Sequence, residues 1–549
     1  MPHGLPNDGR GAVRLLRPIP RAISRPFSLL VLVAWLGQMY ALVRKAYEAP
    51  VALAADLAQY GSSAQWKGIY YRGEKIGFSV GQTIARDGGY QLIEDGRLQL
   101  NLLGATSAVR LHSEANLDSR FAVRDFLVSL DPGSGPTQIR GTLEGRRLSL
   151  TIKTRAGERK EERDLPQPPS LPFSFARRLA ALGLEPGQTH TISVFDPITL
   201  SNSEMEMRVE AREVVEAAGR PVPAFRVQTR FAGIIGTSWI TDTGEVVREE
   251  SPMGLMVVRE TAERAQALAI PGKVQSDLLQ AAAIVPRDAK RIDDSTAVDR
   301  LRVRLLGTSA FPPDDLQGAG QTVSGDVFDI RDARTLLPGP LDPDAPDFLR
   351  PEPFIESDAP EIRAESAKAL EAHRDRDPRA RAERLLRHVH ALIEKKPTLS
   401  LPSALEVLRT RVGDCNEHTT LYVALARAAG IPARIATGLV HLHGAFYYHA
   451  WAEVYLTSKA GALWLPVDPT LNQFPADATH LRLARGGLDR QAAILGLVGK
   501  AQMTMLELEV RPGSTPVLVG RATAAAEPFE LVLPRRDATG RHCWSSPAR

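Results

Sequence analysis

Cysteine is nearly absent from this chain, with only Cys415 and Cys543 among 549 residues. That excludes a disulfide scaffold, because the single available pair would tie Cys415 to the polar tail RHCWSSPAR, which carries little pattern of a fold. A large excess of charge is also missing. The formal net charge is +4, and residues 1–45 alone contribute +6 through Arg10, Arg14, Arg17, Arg21, Arg25, Arg44 and Lys45 against Asp8, which leaves −2 for residues 46–549. A nucleic-acid binder needs a basic face on its folded part, so no nucleic-acid partner is expected. Gly318-Ala319-Gly320 with Gly325 fits neither the dinucleotide fingerprint nor the phosphate loop and reads as a turn, and no calcium loop or other cofactor motif is visible. We therefore expect no cofactor and no metal.

Long apolar runs are missing except for one. Residues 27–43, FSLLVLVAWLGQMYALV, carry no charge. As a helix they would span about 25 Å, the short end for crossing a bilayer. Five arginines precede the run and two basic residues follow it. The bias of positive charge toward the cytoplasm then predicts a single-pass inner-membrane anchor, with the N-terminus cytoplasmic and the bulk of the chain periplasmic. Cleavage after Ala52-Leu53-Ala54 is the alternative, but Arg44 and Lys45 would lie between the apolar run and that site.

The rest has the composition of a globular protein, 43% hydrophobic and 24% charged. Its length exceeds what one core ordinarily serves. The pattern predicts a multidomain α+β protein: residues 1–45 a basic segment and membrane anchor, 60–270 an antiparallel β domain, 271–345 a connecting region, 346–500 an α+β domain, and 501–549 a strand and tail. Period-two runs carry the β domain, among them Leu98, Leu100 and Leu102, Leu148, Leu150 and Ile152, and Met205, Met207 and Val209, with turns at Arg72-Gly73 and Asp242-Thr243-Gly244. No catalytic constellation is visible there, which leaves a binding or spacer module. Six prolines in residues 337–354 predict a stiff linker. Helices follow, the first opened by Asp377-Pro378.

The one cysteine within the patterned region lies in RVGDCNEHTTLYVALARAAGIPAR, residues 411–434. Asp414 and Glu417 have the spacing of a capping box, so Cys415 is the first residue of a helix that ends near Gly430. Positive dipole potential at that end favours a thiolate, and the unpaired backbone N–H can face an oxyanion. Position alone leaves a buried structural cysteine equally open. Downstream, YYHAWAEVYL and ALWLPVDPT read as two strands of a hairpin. A turn centred between Ser458 and Lys459 places His449 opposite Asp468, within reach of an imidazole–carboxylate hydrogen bond. Together the three residues outline a Cys-His-Asp triad.

The run R-x-G-D-C-x-E-H-x-x-L-x-x-A-L-x-R-A-x-G-I-P-A-R, then H-A-W-A-E-V-Y, then W-x-P-V-D-P-T, resembles the core of the transglutaminase-like superfamily over residues 403–486. The resemblance implies a papain-like fold, with Cys415 as nucleophile, His449 as general base and acid, and Asp468 orienting His449. The chemistry implied is acyl transfer through a thioester, as a cysteine acyltransferase or amide hydrolase. Topology suggests envelope proteins or peptides as substrates. Trp451 shares the predicted face of His449 and would line the acyl site, unless it packs in the core. Two rival readings stand beside this one. Cys415, His418, His441 and His443 have the spacing C-x2-H and H-x-H of a zinc site, although the triad accounts for Cys415 without a metal. A non-catalytic envelope binding or assembly module would keep the fold without the chemistry.

Overall fold

The computed structural model describes residues 65–511 together with Tyr60, Ser63 and Ala64, apart from 103–104, 134, 232, 268–281, 289, 372–376, 398–400 and 402. The expected anchor at 27–43 and Cys543 lie outside these residues. No helix among the described residues is long and apolar enough to cross a membrane.

Fourteen antiparallel strands form one sheet across residues 65–260. Eight strands from Gln65–Tyr71 to Gly157–Asp164 pair in sequence order, as do six from Thr189–Asp196 to Leu255–Glu260. The two meanders meet where the first strand pairs with the last, Tyr70 opposite Met256. Alternation sets which side chains go inside. Leu148, Leu150 and Ile152 enter one core with Phe126 and Phe195, while Met205, Met207 and Val209 enter another beneath the helix Phe175–Leu182. The first hairpin turns through Arg72 and Gly73, both at positive φ, the geometry that a two-residue turn between twisted strands demands.

The remaining chain builds two sheets and a helical layer. One sheet has the order Gln321–Ser324, Val327–Arg331, Val298–Leu306, Gln502–Val510. Its last strand comes from the segment expected to be a separate C-terminal strand, and its first three come from the expected connection, so the two segments close a single sheet around the domain between them. The other sheet has the order Gly461–Val467, Ala445–Ser458, Ala433–Leu442, Leu481–Arg485, all antiparallel. Ala433, Ile435, Ala452, Val454, Leu465 and Val467 of this sheet bury against Leu385, Leu421 and Leu425 of the helices. Leu439, Phe446, Leu481 and Leu483 bury against Leu301, Val303 and Phe328 of the first sheet. The sheet thus sits between two apolar layers, which explains why the strand Ala433–Leu442 is buried along nearly its whole length.

The proline-rich stretch does not act as a free spacer. Gly339 exchanges backbone hydrogen bonds with Ala462, and Asp342 accepts from Trp464 Nε1 at 2.7 Å. Phe354 and Leu401 enter a core of the fourteen-stranded sheet, and Arg409 donates to the Arg155 carbonyl at 2.7 Å.

Candidate active site

The helix Cys415–Ala428 starts as its sequence dictates. Asp414 accepts from the Asn416 N–H at 3.0 Å, and the Glu417 carboxylate accepts from the Asp414 N–H at 2.9 Å, completing the capping box. Gly413 makes room for that return: a Cβ there would lie 2.2 Å from Glu417 Cβ. Thr419 Oγ1 donates to the Ala450 carbonyl at 3.1 Å and ties the first turn to the strand that carries His449. Cys415 remains half-buried at the helix start, and the Ala450 N–H faces its sulfur.

Burial pushes the Cys415 thiol well above its ordinary range, and the charges of Asp414, Glu417 and Asp468 push it the same way. The Ala450 N–H works in the opposite direction. The expectation of a thiolate favoured by the helix dipole meets a stronger local field here, because three carboxylates and desolvation oppose a charge on sulfur. A thiolate at this position needs a cation beside it.

His449 Nε2 lies 2.7 Å from Asp468 Oδ2, with the carboxylate fully buried. The hairpin that brings them together has a different register from the one expected. Its loop is Lys459-Ala460, Ser458 pairs with Gly461, and Ala452 pairs with Val467. Asp468 therefore follows the end of the strand one step beyond Val467, diagonal to His449. A displacement of two residues keeps the same face, since side chains alternate with period two, and diagonal neighbours remain within reach of long side chains. A tight turn then fixes the carboxylate. Asp468 exchanges both backbone hydrogen bonds with Gln473, and its Oδ1 accepts from the Thr470 and Leu471 N–H groups at 2.7 and 2.9 Å. With Nε2 committed to Asp468, Nδ1 is the His449 nitrogen left for proton exchange.

A residue missed in the sequence completes the cluster. His480 Nε2 lies 3.0 Å from the same Asp468 oxygen, and its Nδ1 lies 3.1 Å from Asp477 Oδ1. Burial pulls the His480 pKa down, but hydrogen bonds and charge from Asp468 and Asp477 outweigh it and push the pKa up to about 10. His480 is buried between two carboxylates that favour its charged form, and both carboxylates are held well below their usual range. The only hint in the sequence is Asp477-Ala478-Thr479-His480, in which Asp477 Oδ1 also accepts from the Thr479 N–H at 2.9 Å.

Trp451, expected to line the acyl site, is 1% exposed. Its ring stacks at 19° on His449 and meets His480 edge-on at 5.2 Å. In that position it supports the two imidazoles and has no surface of its own to offer a substrate. Next to it on the strand, Glu453 is buried and accepts from Arg434 Nε at 2.8 Å, Arg482 Nη1 at 2.5 Å and Arg485 Nε at 3.1 Å. Arg482 also donates to the carbonyls of Asp315, Gln317 and Gly318, so this network anchors the neighbouring loop and not the chemistry.

Among the described residues, Cys415, His418, His441 and His443 do not come together as a ligand group. His418 is buried on the helix with Nδ1 2.7 Å from the Asp414 carbonyl, burial pulls its pKa down to about 4, and His441 packs edge-on against Phe446. Among the described residues, the one group of three ligand-type atoms within 4.8 Å of one another is His449, Asp468 and His480. Its members already satisfy one another by hydrogen bonds, so the cluster reads as a proton-bearing network and not as a ligand set.

Residues 367–469 match the family model of the transglutaminase-like superfamily and form a transglutaminase-like domain. Cys415, His449 and Asp468 fall inside the match, and His480 falls beyond its end. No curated protein matches the chain. Among solved structures, the chain is similar to a candidate cysteine protease from Cytophaga hutchinsonii, at 19% identity over 43% of this chain and 88% of that one, with a TM-score of 0.26. A candidate protease from Parabacteroides distasonis is 12% identical over 68% and 69% of the two chains, with a TM-score of 0.18. A beta-barrel-like protein of unknown function from Brucella abortus is 10% identical over 36% and 95%, with a TM-score of 0.28. These likenesses are too distant to bear on the site.

Proposed function

We propose that this transglutaminase-like chain is a cysteine acyl-transfer enzyme acting on amides of envelope proteins or peptides. The observation that carries the reading is an Asp468-held His449 whose next residue on the strand, Ala450, turns its N–H toward the sulfur of a cysteine at a helix start. His449 Nδ1 takes the Cys415 proton, and the sulfur attacks the amide carbonyl carbon. The resulting oxyanion lies at the N-terminus of the helix, where the dipole and backbone N–H groups favour it. His449 then returns the proton to the leaving amine as the C–N bond breaks, and a thioester remains. Water or a second amine, deprotonated by His449, attacks the thioester and releases an acid or a new amide. Water gives hydrolysis, and an amine gives cross-linking.

The anchor read at residues 27–43 would hold this domain on the periplasmic face of the inner membrane. A periplasm-active reporter fused after Gly486 is expected to work, and an inactive one would remove the envelope from the proposal. The chemistry is tested by incubating full-length protein with envelope extract and analysing Cys415 by mass spectrometry. An acyl adduct on Cys415, lost when His449 is replaced by Ala, supports acyl transfer. An intact function in cells carrying Cys415→Ala would sink it and favour a non-catalytic assembly module.

A further inference from the structure

The network does not stop at three residues. Asp468 Oδ1 takes two backbone N–H groups, while Oδ2 is shared between His449 and His480. Asp477, on the far side of His480, is itself held by the Gln473 side chain at 2.8 Å and by the Thr479 N–H and hydroxyl at 2.9 and 2.6 Å. The order of contacts is therefore Asp477, His480, Asp468, His449. Among the described residues, four side chains touch the His480 ring. Asp468 faces it from the turn after the strand Gly461–Val467, and Asp477 from its own loop. His449 and the Trp451 ring face it from the strand Ala445–Ser458. His441 and Arg334 act on Asp477 from farther off.

We infer that His480 is a positioning residue for the reaction proposed above: clamped between Asp477 and Asp468, it fixes the orienting carboxylate and takes up part of its charge. The inference rests on the acyl-transfer reading of Cys415, His449 and Asp468. Its physical content is a balance. A carboxylate given over wholly to His449 would hold the imidazolium so firmly that the proton returns reluctantly to the leaving amine. A second cation on the same oxygen weakens that hold, because a charge within about 4–6 Å shifts a neighbour's proton affinity by about one to three pH units. It also gives Oδ2 a second partner besides His449, which further limits rotation of the carboxylate.

The test uses full-length protein and iodoacetamide as the probe, with the alkylation rate of Cys415 followed from pH 5 to pH 11. In the wild type, an ion pair with His449 gives a reactive plateau bounded by two limbs. His480→Gln keeps a donor for Asp468 without the positive charge, and it is expected to move the alkaline limb up by about one pH unit. His480→Phe removes the donor as well, and it is expected to lower the plateau about tenfold as His449 loses its orientation. Asp477→Asn, which weakens the charge on His480 and keeps its contact to Asp468, is expected to move the limb in the same direction by less. That variant decides the matter if the other two do not fold. An alkaline limb that stays in place in every folded variant overturns the positioning role. A wild-type profile with one limb and no plateau overturns instead the reading on which it rests.

Discussion

His449 Nε2 and Asp468 Oδ2 lie 2.7 Å apart although the two residues are diagonal and not opposed in their hairpin. The carboxylate reaches the imidazole because the turn 468–473 stops the strand and fixes Asp468 through its own backbone. Replacing Asp468 with Asn turns an NH2 either toward the two imidazoles or toward the Thr470 and Leu471 N–H groups, so donors face donors on one side of the side chain. Acyl transfer is expected to fall about 10²- to 10⁴-fold, by analogy with triads in which the orienting group is neutralised. Turnover of an amide, or capture of the Cys415 thioester, measures it. Undiminished activity would show that His449 needs no carboxylate.

Asp414→Asn separates the cap from the charge. Asparagine caps a helix about as well as aspartate, so the helix should persist. The Asp414 charge stands second only to burial in raising the Cys415 thiol. Its removal is expected to speed iodoacetamide labelling of Cys415 at pH 7 by about two- to tenfold. Slower labelling would place the effect of Asp414 in helix geometry and not in its charge.

The Glu453 network gives a stability prediction away from the chemistry. Its carboxylate faces three arginines in a buried setting. Glu453→Gln leaves those cations without their counter-charge, and loss of one partner in such a network costs about 3–5 kcal/mol. Urea unfolding followed by tryptophan fluorescence reads the loss. A change within error of zero would mean that water already solvates the arginines.

Gly438 lies opposite His449 in the sheet, and a Cβ there would stand 2.0 Å from the Leu481 carbonyl. Because the obstacle is backbone, the strand Leu481–Arg485 must move away and take His480 with it. Gly438→Ala is expected to destabilise the domain by about 1–3 kcal/mol, the usual range for overpacking, and to slow Cys415 alkylation as well. Thermal melts and labelling on the same sample test both together. Alkylation that stays at the wild-type rate while stability falls would show that the strand can shift without disturbing the site.

His480 makes stability depend on pH in a defined direction. Its folded pKa, raised to about 10, exceeds the ordinary value near 6.5. The charged form is therefore favoured in the folded state. Its stabilisation is complete below about pH 6.5 and is lost as pH rises through about 10. The melting temperature should fall between pH 7 and pH 10 in the wild type and fall less in His480→Phe. Parallel curves for the two proteins would argue that His480 is neutral in its pocket.

What could be read from the sequence was short-range. The capping box of Asp414 and Glu417, the N-cap at Asp377, the alternation of Leu148, Leu150 and Ile152, and the turn at Arg72-Gly73 involve residues within about four positions of one another. Their physics is local backbone geometry, so the letters themselves carry it. The face shared by His449 and Asp468 was legible for the same reason, since a period of two survives a register error of two.

What only the tertiary structure decided depends on distant segments closing on one another. The loop Lys459-Ala460 shifted the register because the turn, and not the pattern of the strands, sets the pairing. The segments around residues 300 and 505 joined one sheet because each exposed an edge that the other could pair. His480 reached Asp468 only after the chain had turned at 468–473 and re-entered as a new strand. Its charge followed from burial beside two carboxylates, and the field around a side chain comes from whatever the fold brings near it, which no spacing along the chain encodes.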